Sequence, residues 1–160
     1  MAHGFDCYGV DVEDKFRALY PGKFICADVR QFESQYWKNM NIRVICASSP
    51  CEEFSRHTMP WTRAKNPPEP KLGIELANVA MHIAADLGVP LILENVRTAQ
   101  KWLGRAVMHC GLFYLWGDGV PALLPREVQR RVKESYGSKE RDRRAEIPFE
   151  LADWIARCYA

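Results

Sequence analysis

Two positions combine a reactive side chain with a setting that suits chemistry. Cys51 follows Pro50 in the stretch SSPCEEFS, directly after the apolar run Ile42–Ser48. A cysteine in the turn between a strand and a helix start lies near exposed backbone amides, which lower a thiol's pKa and make it a nucleophile. Glu94 sits at the end of the apolar run PLILEN. Desolvation there raises a carboxyl's pKa and suits it to proton donation. Each residue also has an ordinary reading. A lone cysteine often behaves as a small, inert apolar group, and a glutamate at a strand end often pairs or caps. Two other cysteine chemistries stay open. Arg56 falls one residue short of the C-x5-R spacing of a cysteine phosphatase, and His57 offers itself as the base of a thiol hydrolase.

The elements that must position these residues are legible as alternating strand and helix patterns. Phe5–Val12 reads as a strand ending in acid, followed by a short helical stretch through Phe16 and Leu19 that Pro21 and Gly22 break. Lys23–Asp28 is a second strand. A helical stretch around Phe32, Tyr36 and Trp37 leads to a third strand, Ile42–Ser48. Short continuous apolar runs rich in β-branched residues suit parallel strands buried on both faces. Asn66–Pro70 is an extended, proline-rich connector. Beyond it Leu72, Leu76, Ala80, Ile83 and Leu87 share one helical face, with Gly88 as C-cap. Pro90 opens the strand that carries Glu94. The order predicts a doubly wound α/β sheet in which Cys51 and Glu94 lie at the carboxyl ends of successive strands, where open sheets bind ligands. A last helix carries Leu151, Ile155 and Cys158 on one face. The aromatic, turn-rich segment His109–Pro125 has no clear period and stays unassigned.

Composition narrows the class without choosing a function. The 160 residues are 48% hydrophobic and 26% charged, ordinary for one globular domain spanning 1–160. Net charge is +2, so the whole chain neither demands nor excludes a polyanion. The stretch from Arg126 to Arg144 is locally basic, with Arg130, Arg131, Lys133, Arg141 and Arg143 among its cations. Such a stretch suits either a phosphate backbone or a solvated helical face. The six cysteines form no CxxC pair or other metal-ligand spacing, so no metal site is expected. No signal-peptide pattern opens the chain, and no apolar run approaches the roughly 18 residues of a membrane span. A cytoplasmic protein with reduced thiols and no membrane partner is the expectation.

Together these motifs resemble the DNA cytosine-5 methyltransferase family. SPCEEFS is similar to that family's Pro-Cys-Gln-x-Phe-Ser element, and Glu94-Asn95-Val96 reproduces its Glu-Asn-Val. YGVDVED resembles the strand whose terminal acid holds the ribose of S-adenosylmethionine, and CADV the element whose acid reads the adenine. The C-terminal EIPFELADWIA is similar to the family's closing element. The resemblance implies a Rossmann-like, mostly parallel sheet with helices on both faces. It implies Cys51 as the nucleophile toward cytosine carbon 6 and Glu94 as the acid at ring nitrogen 3, on a base flipped out of the duplex. It further implies that Pro50, Asn95, Val96 and Arg97 surround the substrate, with Arg130 and Arg131 on the DNA. Asp11, Val12, Asp28 and Val29 would hold S-adenosylmethionine.

The sequence also departs from the family. No Phe-x-Gly-x-Gly-Gly element precedes Gly4, which implies a sheet truncated at its N-terminal strand and a weak cofactor site. The interval after Glu94 is too short for a target-recognition domain, as in compact methylase-like proteins of phage and prophage. Arg144-Ala145 stands where the family has Gly-Asn, and Gln129-Arg130-Arg131 matches Gln-x-Arg-x-Arg only loosely. The strands ending at Asp11 and Ala47 would flank the absent one, so self-association, a complementing chain or a rearranged sheet is expected. The same departures leave open a catalytically inactive relative that binds DNA or a partner.

Overall fold

The computed structural model describes residues 2–55, 70–135 and 147–160. Among these, strands alternate with helices in the order expected, but the strands fall into two sheets rather than one. The first sheet is the parallel pair β1 (Tyr8–Asp11) and β2 (Lys23–Cys26), in the register Asp11 opposite Cys26. Two one-turn 3-10 helices, Val29–Gln31 and Lys38–Met40, and the short α1 (Ser34–Trp37) between them connect it to β3. Phe32, Tyr36 and Trp37 stack there with ring centroids 4.7–5.4 Å apart.

The second sheet has four strands. β3 (Ile45–Ser48) leads through α2 (Cys51–Ser55) and α3 (Lys71–Leu87) to β4 (Leu91–Asn95), and β3 and β4 pair in parallel. All five residues of β4 are buried, the outcome expected of its unbroken apolar run. After α4 (Gln100–Leu103), the unassigned aromatic segment forms an antiparallel hairpin of β5 (Met108–Cys110) and β6 (Phe113–Trp116). Gly111, at φ 61°, supplies the left-handed residue of its two-residue turn. β6 then pairs antiparallel with β4, giving the order β3-β4-β6-β5. The sheet is therefore mixed, and within the described residues β3 has no strand on its outer side.

Helices cover both faces of this sheet. On one face Phe54, Ala77, Ala80 and Ala84 pack on Leu91, Leu93 and Trp116. On the other, α5 (Arg126–Ser135) and α6 (Phe149–Tyr159) bury Val128, Val132, Leu151 and Trp154 against Cys110 and Phe113. The buried stripe of α3 includes Ala80 and Ile83 of the expected face but is shifted at its start. Gly73, Ala77, Ala80, Ile83 and Ala84 are buried, Leu76 and Leu87 are half-buried, and Leu72 is exposed. The reason lies on α2: the Phe54 ring lies so close over Gly73 that a Cβ there would stand 2.8 Å from it. Small residues let the helix approach, and the large apolar volume comes from α2 instead. Gly88 ends α3 in the left-handed conformation (φ 65°), its N–H reaching the carbonyls of Ala84 and Ala85.

The two sheets are joined by helix packing and polar contacts rather than by a strand ladder. α1 and the turn before it lie on α3, where Arg30 reaches Glu75 at 3.3 Å and Ser34 Oγ donates to Asp86 at 2.6 Å. His3 Nε2 lies 2.8 Å from Asp153 Oδ1 on α6. No described helix is long and apolar enough to cross a membrane.

Candidate active site

The register of β3 and β4 sets Ser48 beside Glu94. The Ser48 hydroxyl donates to Glu94 Oε2 at 2.5 Å. Glu94 is only 8% exposed. Burial pushes its carboxyl above the usual carboxylate range, and the Ser48 hydrogen bond offsets this only in part. The group is thereby held toward its neutral, proton-donating form.

One residue further, Asn95 is completely buried. Its Nδ2 donates to Ser49 O at 2.9 Å and to Ser49 Oγ at 3.0 Å, while its Oδ1 accepts from Val96 N–H at 2.9 Å. One side chain thus ties the turn after β3 to the turn after β4. Cys51 follows that tied turn immediately, as the first residue of α2. Phe54, on the same short helix, anchors it by packing on Gly73 and on Trp102, 5.9 Å away between ring centroids. Pro50 is exposed and its carbonyl accepts from Glu53 N–H. Val96 is half-buried and packs against the core of this face.

Cys51 is half-buried, and its thiol pKa is raised, contrary to the lowering expected from a helix start. Desolvation is the largest cause, followed by the charges of Glu94 and Glu52; the backbone hydrogen bond at Cys51 opposes them weakly. The physical reason is plain. Burial strips water from the thiolate, and two carboxylates stand near the sulfur. A neutral Glu94 removes the larger of those two repulsions. Protonated acid and thiolate nucleophile are therefore mutually supporting.

The remaining expected site residues are not gathered here. Arg97 follows β4 and opens a 3-10 turn that packs against α2, with its side chain exposed. Arg130 and Arg131 are exposed on α5, which packs on α6, and Arg131 pairs with Glu127 at 2.5 Å. Arg56, His57, Lys139, Arg141, Arg143, Arg144 and Ala145 lie outside the described residues. Sequence reasoning missed Ser48, Ser49 and Phe54 as supports. The register pairing of Ser48 with Glu94 has no signal in the sequence.

Asp11 ends β1, and Asp28 lies two residues past the parallel neighbour β2. Asp11 Oδ1 accepts from Glu13 N–H at 2.8 Å. Asp28 is committed elsewhere. It caps the turn Val29–Gln31 through Arg30 N–H, and both its oxygens receive the Arg30 guanidinium, at 2.5–3.0 Å. Those bonds hold its carboxyl down to about 2. Val12 is exposed, and Val29 begins the capped turn. Asp28 already receives three N–H groups of Arg30, so an adenine amino group there would compete with that arginine for the carboxylate. Among the described residues, no group of three or more His, Cys, Asp or Glu side chains is arranged to hold a metal. The chain matches no family model, no curated protein and no solved structure.

Proposed function

We propose that the chain is a DNA cytosine-5 methyltransferase-like protein whose Cys51–Glu94 pair activates a cytosine ring by covalent addition. The observation that carries this reading is the burial of Glu94 next to the buried Asn95–Ser49 hydrogen bonds. Burial favours the protonated Glu94, and the Asn95–Ser49 bonds join the turn that leads into Cys51 to the turn after β4. The Cys-to-Glu-Asn-Val pattern supports cytosine as the acceptor.

In the proposed step the Cys51 thiol first loses its proton to solvent. The thiolate then forms a bond to ring carbon 6, while Glu94 gives its proton to ring nitrogen 3, so no negative charge accumulates on the ring. Carbon 5 becomes nucleophilic. With water as the only electrophile it takes a solvent proton. Loss of the original carbon-5 hydrogen, return of the nitrogen-3 proton to Glu94 and expulsion of the Cys51 thiolate restore cytosine. In the resembled family carbon 5 ends with a methyl group instead of a solvent hydrogen.

This addition is testable without any methyl donor. An oligonucleotide carrying tritium at cytosine carbon 5 should release tritium to water with this protein, and Cys51→Ala should abolish release. Glu94→Gln should slow it on the order of a hundredfold or more, the usual weight of a positioned general acid. No release by the unsubstituted protein defeats the reading. A second reading, a silent module that binds DNA or a partner chain, is favoured by the Asp28–Arg30 lock and by the separation of β1–β2 from β3. Absence of release with retained DNA binding would select it.

A further inference from the structure

A groove of about 430 Å³ is walled by the turn after β4 on one side and the β5–β6 hairpin on the other. Its chemistry is one-sided. Arg97, Gln100, Arg105, His109 and Tyr114 supply its polar lining, and no aspartate or glutamate contributes. Arg97 and Arg105 are exposed, and among the described residues neither guanidinium forms an ion pair. Most other well-placed arginines here are engaged: Arg17 with Asp14, Arg30 with Asp28, Arg131 with Glu127, Arg157 with Asp153.

The walls are held at a set separation. Gln100 donates to Arg97 O at 3.4 Å and accepts from Ala106 N–H at 3.2 Å, bridging the two arginine-bearing segments. Val107 N–H bonds Leu115 O at 2.8 Å, fixing the second wall to β6. In the hairpin register His109 stands opposite Tyr114, and their rings stack with centroids 5.0 Å apart and planes 17° from parallel. His109 is exposed, and the stacked ring pair lines the same groove as the two arginines.

Unpaired arginines next to an open ring face form the combination that holds single-stranded nucleic acid: cations for phosphates, a π-surface for a base. We propose that this groove binds the phosphodiester backbone of a nucleic-acid strand flanking the target base, with Arg97 and Arg105 on phosphates and a neighbouring base stacked on His109. The proposal rests on the cytosine reading, because Arg97 lies three residues beyond Glu94 and opens the turn that packs against α2, the helix that carries Cys51.

The test is fluorescence anisotropy with a labelled single-stranded, cytosine-containing oligonucleotide, titrated at salt concentrations from 50 to 200 mM. Each phosphate contact on a single strand adds about 0.7 to the log–log salt slope, or about 2.6-fold in affinity across that range. Arg97→Ala and Arg105→Ala should each reduce the slope by about that amount, and Arg105→Lys should retain it. His109→Ala should weaken binding about five- to a hundredfold and leave the slope unchanged. All three side chains are exposed, and unchanged circular dichroism verifies the fold. Unchanged slopes in both alanine variants overturn the proposal. So does a phosphopeptide or polyphosphate probe that binds as tightly as the oligonucleotide. The addition chemistry is judged separately: Cys51→Ala should keep the full slope, so tritium release can fail while the groove stands, and the reverse.

Discussion

Replacing Asn95 with alanine probes the joint on which the candidate site depends. The side chain is fully buried and makes three hydrogen bonds, two to Ser49 and one from Val96 N–H. Ser49 is itself buried, at 7% exposure. Alanine leaves the Ser49 carbonyl without its partner in a dry position, and each such orphaned group costs about 1–3 kcal/mol. The Ser49 hydroxyl can rotate, and the half-buried Val96 amide can reach water, so their losses are smaller. A total of about 3 kcal/mol follows, a large share of the 5–15 kcal/mol that holds a typical domain together. With a urea slope of about 2 kcal/mol per molar, the unfolding midpoint should fall by about 1.5 M. The tryptophans report unfolding directly by fluorescence. A midpoint shift below about 0.3 M would refute the reasoning, because it would mean that Asn95 does not bind the two turns together. Asn95→Asp adds a sign check. It keeps the acceptor for Val96 but sets a carboxylate against the Ser49 carbonyl, so it should be markedly less stable at pH 7 than at pH 4.

Other outcomes follow from the same geometry. The Glu94 carboxyl is raised in the folded state, so the native protein should lose stability as pH rises from the unfolded glutamate value, about 4.3, through the folded one. Glu94→Gln lacks that loss. Its melting temperature relative to the native protein should therefore rise between pH 4 and pH 8, and a flat or falling difference would contradict the burial argument. Phe54→Ala removes a fully buried ring from between α2, Gly73 and Trp102, and should cost about 3–5 kcal/mol in urea titrations. A cost under about 1 kcal/mol would show that α2 is not anchored by it. The outer side of β3 has no strand partner among the described residues, and we expect concentration-dependent self-association in light scattering. A constant monomer mass across concentrations would count against an available edge.

Local pattern was enough to find the parts of this protein. A short apolar run flanked by Gly88 and Pro90 reads as a strand buried on both faces, and β4 is one. Gly88 stops α3 because only glycine takes a left-handed cap cheaply. Cys51 and Glu94 were identifiable because a reactive residue at the end of an apolar run is visible in one dimension. What depends on two distant segments meeting was not visible. At its start the buried stripe of α3 runs through Gly73 and Ala77 rather than Leu72 and Leu76, because Phe54 arrives from another helix to fill the space. The aromatic segment 109–125 contains a hairpin whose turn rests on a single glycine, and its strands are too short to show a period. The Cys51 thiol moved up rather than down because burial and the charge of Glu94 outweigh the backbone hydrogen bond at the helix start. Asp28, a free acid in the sequence, is locked by Arg30 two residues away. The gap between the β1–β2 pair and β3 is likewise a property of the assembled chain. Backbone pairing depends on which edges meet in space, and residue type alone does not specify that.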